Sequence, residues 1–333
     1  MEKRSIRLSS AEIAGLWEVY TQESMSVCLL SYFLHHNQDT EIKKLLQEAF
    51  DLSSHHVKKI TELFQLEGIP IPDGFSEKDL DLTAPPLFYD TFALSLVYFI
   101  SRMSMINGGF ITANIARKDV LDFFVKLVQK YTALYQQSIE LMLSKGVYDR
   151  PPMIPYPETI EYIDKLSYLN AFGKKRPLNV AEITQMFFNT ERNYFSILLC
   201  MGLLQVVKDE EIHEFIVEGK KISEKQLNTF NDLFQREELL GNVATVSDVT
   251  DSTVNPFSNR LIVALFTALN GIDLTLLGHS ISMSLRTDLV AYYQKYQLEI
   301  LAYSAKGFKL MVERGWMQKP PHAPDRRKLQ KLE

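Results

Sequence analysis

Carboxylates and imidazoles at helical spacing are the side chains of this 333-residue chain best placed to do chemistry. Glu210 and His213 form a Glu-x-x-His pair, and the i, i+3 spacing puts an acid and an imidazole on one helical face, within reach of the same metal ions. His56 continues the stripe Ile42, Leu46, Ala49, Ser53 and Ile60, so it is expected to face a core. If the chain reverses near Asn37-Gln38, the residue across from His56 lies close to Glu23. A di-iron carboxylate centre needs a Glu on each of two helices and a Glu-x-x-His on each of two others. Only Glu210–His213 supplies that motif, and the matching positions in the first half are Thr40 and Lys43. A full di-iron set therefore fails by ligand count. Glu23, His56, Glu210 and His213 stand as candidates for a degenerate di-iron or single-metal site, with iron or another transition metal. The competing reading has no cofactor and makes Glu23–His56 a hydrogen bond that fixes helix register.

What positions these residues is an internal repeat. Shifted by 170 residues, Leu8–Glu67 aligns with Leu178–Glu237 without a gap, and sixteen of sixty positions are identical. DLTAPP from Asp81 matches DSTVNP from Asp251, and GVYDRPPMIP from Gly146 matches GWMQKPPHAP from Gly315 at an offset of 169. The chain reads as a tandem duplication. The expected organisation is a first four-helix bundle over residues 8–146, a Pro-rich linker over 147–177, a second bundle over 178–315, and a Pro-containing charged tail over 316–333. The repeat sets Asn193 and Gln226 where the first copy has Glu23 and His56, so a polar pair recurs at one level of each bundle.

Within a copy the periodicity is helical. A first helix is expected from Ser9 or Ser10, without a capping box on the Ser10–Ile13 spacing. A second opens after Asn37-Gln38-Asp39, runs to Glu67 and is stopped by Gly68 and Pro70. An 18-residue connection, Gly68–Pro85, is long enough to run back along the bundle. The third helix is expected from near Pro86 to Ile115, loosened at Asn107-Gly108-Gly109, and the fourth from Lys118 to Lys145. A long crossover between helices two and three is the connectivity of ferritin-like bundles, with up-down-up-down as the alternative. A short linker helix is expected over Glu158–Leu169, and some strand character at Val243–Val249. The fold class is all-α, two ferritin-like bundles in tandem. Part of Met25–Leu34, apolar beyond one stripe, is free to face the other bundle while each half buries its own core.

Composition removes several function classes. Lys and Arg number 36 against 41 Asp and Glu, a net charge of −5, which lacks the basic footprint for binding nucleic acid. Two cysteines, Cys28 and Cys200, exclude a disulfide scaffold and read as buried thiols in a reducing cytosol. No secretory signal is visible at the start, and the expected location is cytoplasmic. Leu261–Leu285 is long and apolar, but Asp273, His279 and Asn270-Gly271 interrupt it, so a buried core helix is preferred to a membrane span. His35-His36 and His55 read as surface residues, and His279 as a hydrogen-bonded core histidine. Tyr292, Tyr293, Tyr296 and Tyr303 read as helix packing. Arg117-x-Asp119 and Arg286-x-Asp288 recur at the start of each fourth helix and read as structural. A further option is an apolar-ligand pocket around Gly108-Gly109 or Gly271.

The combination SAEIAGLWEVY, HHNQDTEIKKLL, EGIPIPDGF, APPLFYDTF and SKGVYDRPPMIPYP, with DSTVNPFSNRL and RGWMQKPP in the second half, resembles a domain-of-unknown-function family from spore-forming, Bacillus-type bacteria. The resemblance covers nearly the whole chain. It implies ferritin-like bundles related to spore-coat-type proteins and a sporulation setting, and it supplies no catalytic residues. The resulting expectation is a non-enzymatic structural or binding protein, with self-association or a spore protein as partner. A metal-binding ferritin-like protein is the alternative.

Overall fold

The structure, a computed structural model, describes residues 6–169, 175–241 and 249–330. Eight long helices dominate the described residues. The first repeat holds α1 (Ser10–His36), α2 (Thr40–Glu67), α3 (Asp90–Thr112) and α4 (Lys118–Ser144). The second holds α5 (Val180–Val206), α6 (Glu210–Arg236), α7 (Asn259–Met283) and α8 (Thr287–Glu313). A four-residue α9 (Arg326–Leu329) follows.

Local chemistry sets the boundaries. Ser9 caps α1 in a capping box: its hydroxyl accepts from Glu12 N at 3.3 Å and Glu12 accepts from Ser9 N at 2.6 Å. The box thus lies one residue earlier than the Ser10–Ile13 spacing examined in the sequence. Asn179 and Glu182 repeat it at the head of α5. Gly68 ends α2 with φ 65°, the left-handed conformation glycine adopts without penalty. The third helix departs from expectation at both ends. Pro85 and Pro86 stay extended, their carbonyls held by Tyr32 of α1 and Thr250 of the other crossover, so the helix starts at Asp90; at its far end it stops at Thr112. It runs through Asn107-Gly108-Gly109 unbroken. A Cβ at Gly108 would sit 2.9 Å from Leu127, so this glycine lets α4 approach closely. Among the described residues of the linker only Leu166–Leu169 forms a 3₁₀ turn, and the helix expected over Glu158–Leu169 does not extend back to Glu158. Residues 243–248 of the expected strand segment, and Gly173-Lys174 of the linker, lie outside the described residues.

Hydrogen bonds at the bundle ends fix the helix directions. Asp90, at the head of α3, accepts from Gln38 N and Asp39 N in the α1–α2 turn at 3.0 and 2.8 Å. Arg117, at the head of α4, pairs with Glu67 at the foot of α2 at 2.6 Å, and Lys145 beyond α4 returns to Asp39 at 2.7 Å. α2 and α3 therefore start at the same end and run parallel, which requires the long crossover and excludes up-down-up-down order. The second repeat is built alike: Arg286 pairs with Glu237, and Arg314 with Asp209.

The repeats meet through equivalent surfaces. The two crossovers run antiparallel, with Leu80 bridged to Phe257 and Phe88 to Val249. Asp81 N donates to Pro256 O at 2.8 Å, and Thr250 N to Leu87 O at 3.0 Å. α1 packs on α7, and α3 packs on α5, where Phe195 stacks on Phe92 at 5.1 Å. Because α1 corresponds to α5 and α3 to α7, one contact occurs twice, as in a twofold dimer. The expected exposure of part of Met25–Leu34 to the other bundle is found: Met25, Leu29 and Phe33 meet residues of α5 and α7. One hydrophobic cluster runs from the first repeat into the crossover end of the second, and a smaller cluster around Met186, Phe230, Leu289 and Tyr296 fills the other end. By length and composition alone α3 and α7 are apolar enough to cross a membrane, and in the fold each packs within its own repeat and against the other.

Candidate functional site

The buried acid–imidazole pair sits midway along the α1–α2 hairpin. Positions 23 and 56 are nearly equidistant from the Asn37–Asp39 turn, so antiparallel pairing brings them level. Glu23 accepts from His56 Nδ1 at 2.8 Å, and both residues are buried. α4 adds a third member: the Tyr131 hydroxyl donates to Glu23 Oε1 and Oε2 at 2.8 and 2.6 Å. With that proton committed to Glu23, Ser53 Oγ at 3.3 Å is left to donate to the phenol oxygen. Burial, reinforced by the neighbouring Glu23 carboxylate, pushes the Tyr131 hydroxyl well above its usual pKa. The network links α1, α2 and α4, and both Glu23 oxygens are engaged.

In the second repeat Asn193 donates to Gln226 at 3.2 Å. Ser223 repeats Ser53, and Ile300 stands where the first repeat has Tyr131. Here a neutral amide pair does the cross-helix bonding.

Glu210 and His213 occupy the first turn of α6, Glu210 exposed and His213 half-buried, and they lie in a different repeat from Glu23 and His56. Among the described residues no group of three or more His, Cys, Asp and Glu is placed to hold a metal ion. The donor set of Glu23 and His56 with a phenol does not fit a di-iron centre. His55 is exposed, as expected, and so is His279, which corrects its reading as a core histidine. The far end of α7 turns this residue outward among apolar neighbours that themselves are only half covered. Of the tyrosines at helical spacing, Tyr293, Tyr296 and Tyr303 are buried and Tyr292 is half-buried. Both cysteines are buried, and burial pushes each thiol up to about 12. Gly108 is packed against α4, Gly109 is exposed, and Gly271 borders a surface groove of about 460 Å³ along with Trp17 and Trp316.

Several polar groups carry more than the sequence reading gave them. Glu12 Oε1 accepts from the backbone of Ala116 and Arg117 at 3.3 and 2.7 Å, tying α1 to the head of α4. Glu182 does the same for Leu285 and Arg286. Burial would raise the Glu12 carboxyl, but hydrogen bonds from Ser9, Arg117 and Ala116 outweigh it and hold the pKa at about 2. Between repeats, Arg102 pairs with Glu191 at 2.8 Å and lies over the Phe188 ring at 4.1 Å. Arg192 pairs with Asp273 at 2.5 Å. The repeated Ser-x-x-Glu and Asn-x-x-Glu starts were visible signals for Glu12 and Glu182. Tyr131, Arg102 and Glu191 gave none, because their partners come from distant segments.

No curated protein matches the chain. Among solved structures, it is similar to a "putative spore coat protein" from Bacillus halodurans, at 18% identity and a TM-score of 0.41, over 46% of this chain and 99% of the other. A family model described as "protein of unknown function" matches twice in tandem, over residues 1–160 and 167–329, so the chain belongs to the DUF3231 family.

Proposed function

We propose that this protein is a non-enzymatic structural or binding protein built on two ferritin-like bundles, and that Glu23 and His56 serve as a register-fixing strut. The observation that carries this reading is the exchange of the Glu23–His56–Tyr131 network for the Asn193–Gln226 pair at the same level of the second repeat. Carboxamides are poor transition-metal ligands, yet they still supply a hydrogen bond across the hairpin at the same level. A sporulation setting, with self-association or another spore protein as partner, belongs to the same proposal and rests on the resemblance to a family of spore-forming bacteria.

The convergence of Glu23, His56 and Tyr131 supports a second reading, a single metal held in the first repeat alone. Metal analysis of purified protein after exposure to iron(II), manganese(II) and zinc(II) separates the two. The strut reading expects no stoichiometric metal, whether in the wild type or in a Glu23→Asn, His56→Gln variant. Stoichiometric metal that disappears in that variant establishes the second reading instead.

A further inference from the structure

A cavity of about 140 Å³ lies between the repeats, and both contribute its walls. Met25 and Leu29 from α1, Phe92 and Phe99 from α3, Phe195 from α5 and Leu265 from α7 make its lining largely apolar. Apolar cavities of about this size accept molecules as small as benzene. Asn270, 5% exposed, interrupts the apolar wall, and its Nδ2 is buried without a hydrogen-bond partner. A buried donor left unpaired costs stability, so such groups are normally satisfied.

Three other polar groups at the cavity are paired. Ser196 and Ser223 bond each other at 3.0 Å, and Arg192 is held by Asp273. Ser101, the counterpart of Asn270 at an offset of 169, spends its hydroxyl on Tyr98 O at 3.0 Å. Packing of the repeats therefore does not demand a free donor at this level, and only one side of the pseudo-dyad supplies one.

We propose that this cavity is a binding site for a small apolar molecule, about the size of one aromatic ring with a short substituent, whose single hydrogen-bond acceptor meets Asn270 Nδ2. This goes beyond the structural role above and does not depend on it.

The test compares acetophenone with α-methylstyrene, which replaces the carbonyl oxygen by a methylene at nearly the same shape. Calorimetric titration of the full chain is expected to give saturable one-to-one binding of both. Acetophenone should bind about three- to tenfold tighter, the contribution of one neutral hydrogen bond. Asn270→Leu is expected to erase that preference while α-methylstyrene still binds. Leu265→Trp, which fills the cavity, is expected to abolish binding of both with the helical circular dichroism unchanged. Failure of the wild type to bind either probe saturably overturns the site, whatever the variants do. Equal wild-type affinities, or binding that survives in a folded Leu265→Trp variant, overturn it as well.

Discussion

The two repeats hold their α1–α2 and α5–α6 hairpins by different chemistry at the same level. In the first, a carboxylate collects bonds from an imidazole and a phenol in a site closed to solvent. In the second, two carboxamides face each other and an isoleucine replaces the phenol. The neutral pair needs less desolvation but ties only two helices, while the charged set draws in α4. Both repeats thus place a bonded polar pair there, charged in one and neutral in the other, and the neutral one leaves Gln226 Nε2 buried without a partner. The contacts between repeats differ in the same manner. On the α3–α5 side the buried Arg102–Glu191 pair spans the contact, beside a smaller pocket of about 160 Å³. On the α1–α7 side Gly271 and Thr21 stand at those positions and a groove remains.

The sharpest way to break the comparison is to remove the acceptor from each network. Glu23→Leu leaves the His56 and Tyr131 donors buried and unpaired, and should cost about 3–5 kcal/mol of unfolding free energy in urea titrations. Asn193→Leu should cost only about 1–3 kcal/mol; equal losses would show that charge makes no difference at this level. Next in size is Arg102→Met, which strands the Glu191 carboxylate between the repeats and should cost about 3 kcal/mol. Thr21→Val, at the counterpart of Glu191 across the dyad, should stay within about 0.5 kcal/mol. Writing the second repeat's set into the first, as Glu23→Asn, His56→Gln and Tyr131→Ile together, should cost less than Glu23→Leu alone, about 2 kcal/mol. A larger loss than the single variant would mean that the neutral pair works only in its own surroundings.

The bundle ends add a pH dependence to the comparison. The folded Glu12 carboxyl is held at about 2, below its ordinary value of 4.5. A depressed folded pKa contributes stability that is complete above the unfolded value and disappears as pH falls through the folded one. Glu182 is displaced in the same direction: burial raises its pKa, and bonds from Arg176, Asn179 and Arg286 more than reverse this. Urea midpoints should therefore fall between about pH 4.5 and 2, and Glu12→Gln should flatten part of that slope. An unchanged slope in Glu12→Gln would remove Glu12 from the account.

Pairings across a short turn were legible in the sequence, and pairings across the crossover were not. Glu23 and His56 could be matched because the turn at Asn37–Asp39 fixes which residues face each other. Tyr131 reaches the same carboxylate from a helix beyond the crossover, and nothing local dictates its rotation about the bundle. The start of α3 was misplaced for a related reason. Pro86 suits a first helical turn, but the pairing of the two crossovers holds it extended. The recurrence of Arg-x-Asp was plain, whereas the backbone bonds to Glu12 depend on where α1 begins relative to α4. For the shared core, the apolar surplus of Met25–Leu34 was a legible signal, whereas the cavity between the halves depends on residues of several helices that no single periodicity relates.

The near-twofold arrangement of the repeats has a consequence of its own. Separate subunits joined this way would part on dilution, but here one polypeptide carries both, so the union is unimolecular at any concentration. A twofold homodimer must also accept every substitution twice. The fused chain accepts it once, which leaves one flank free to carry an ion pair while the other keeps the larger groove.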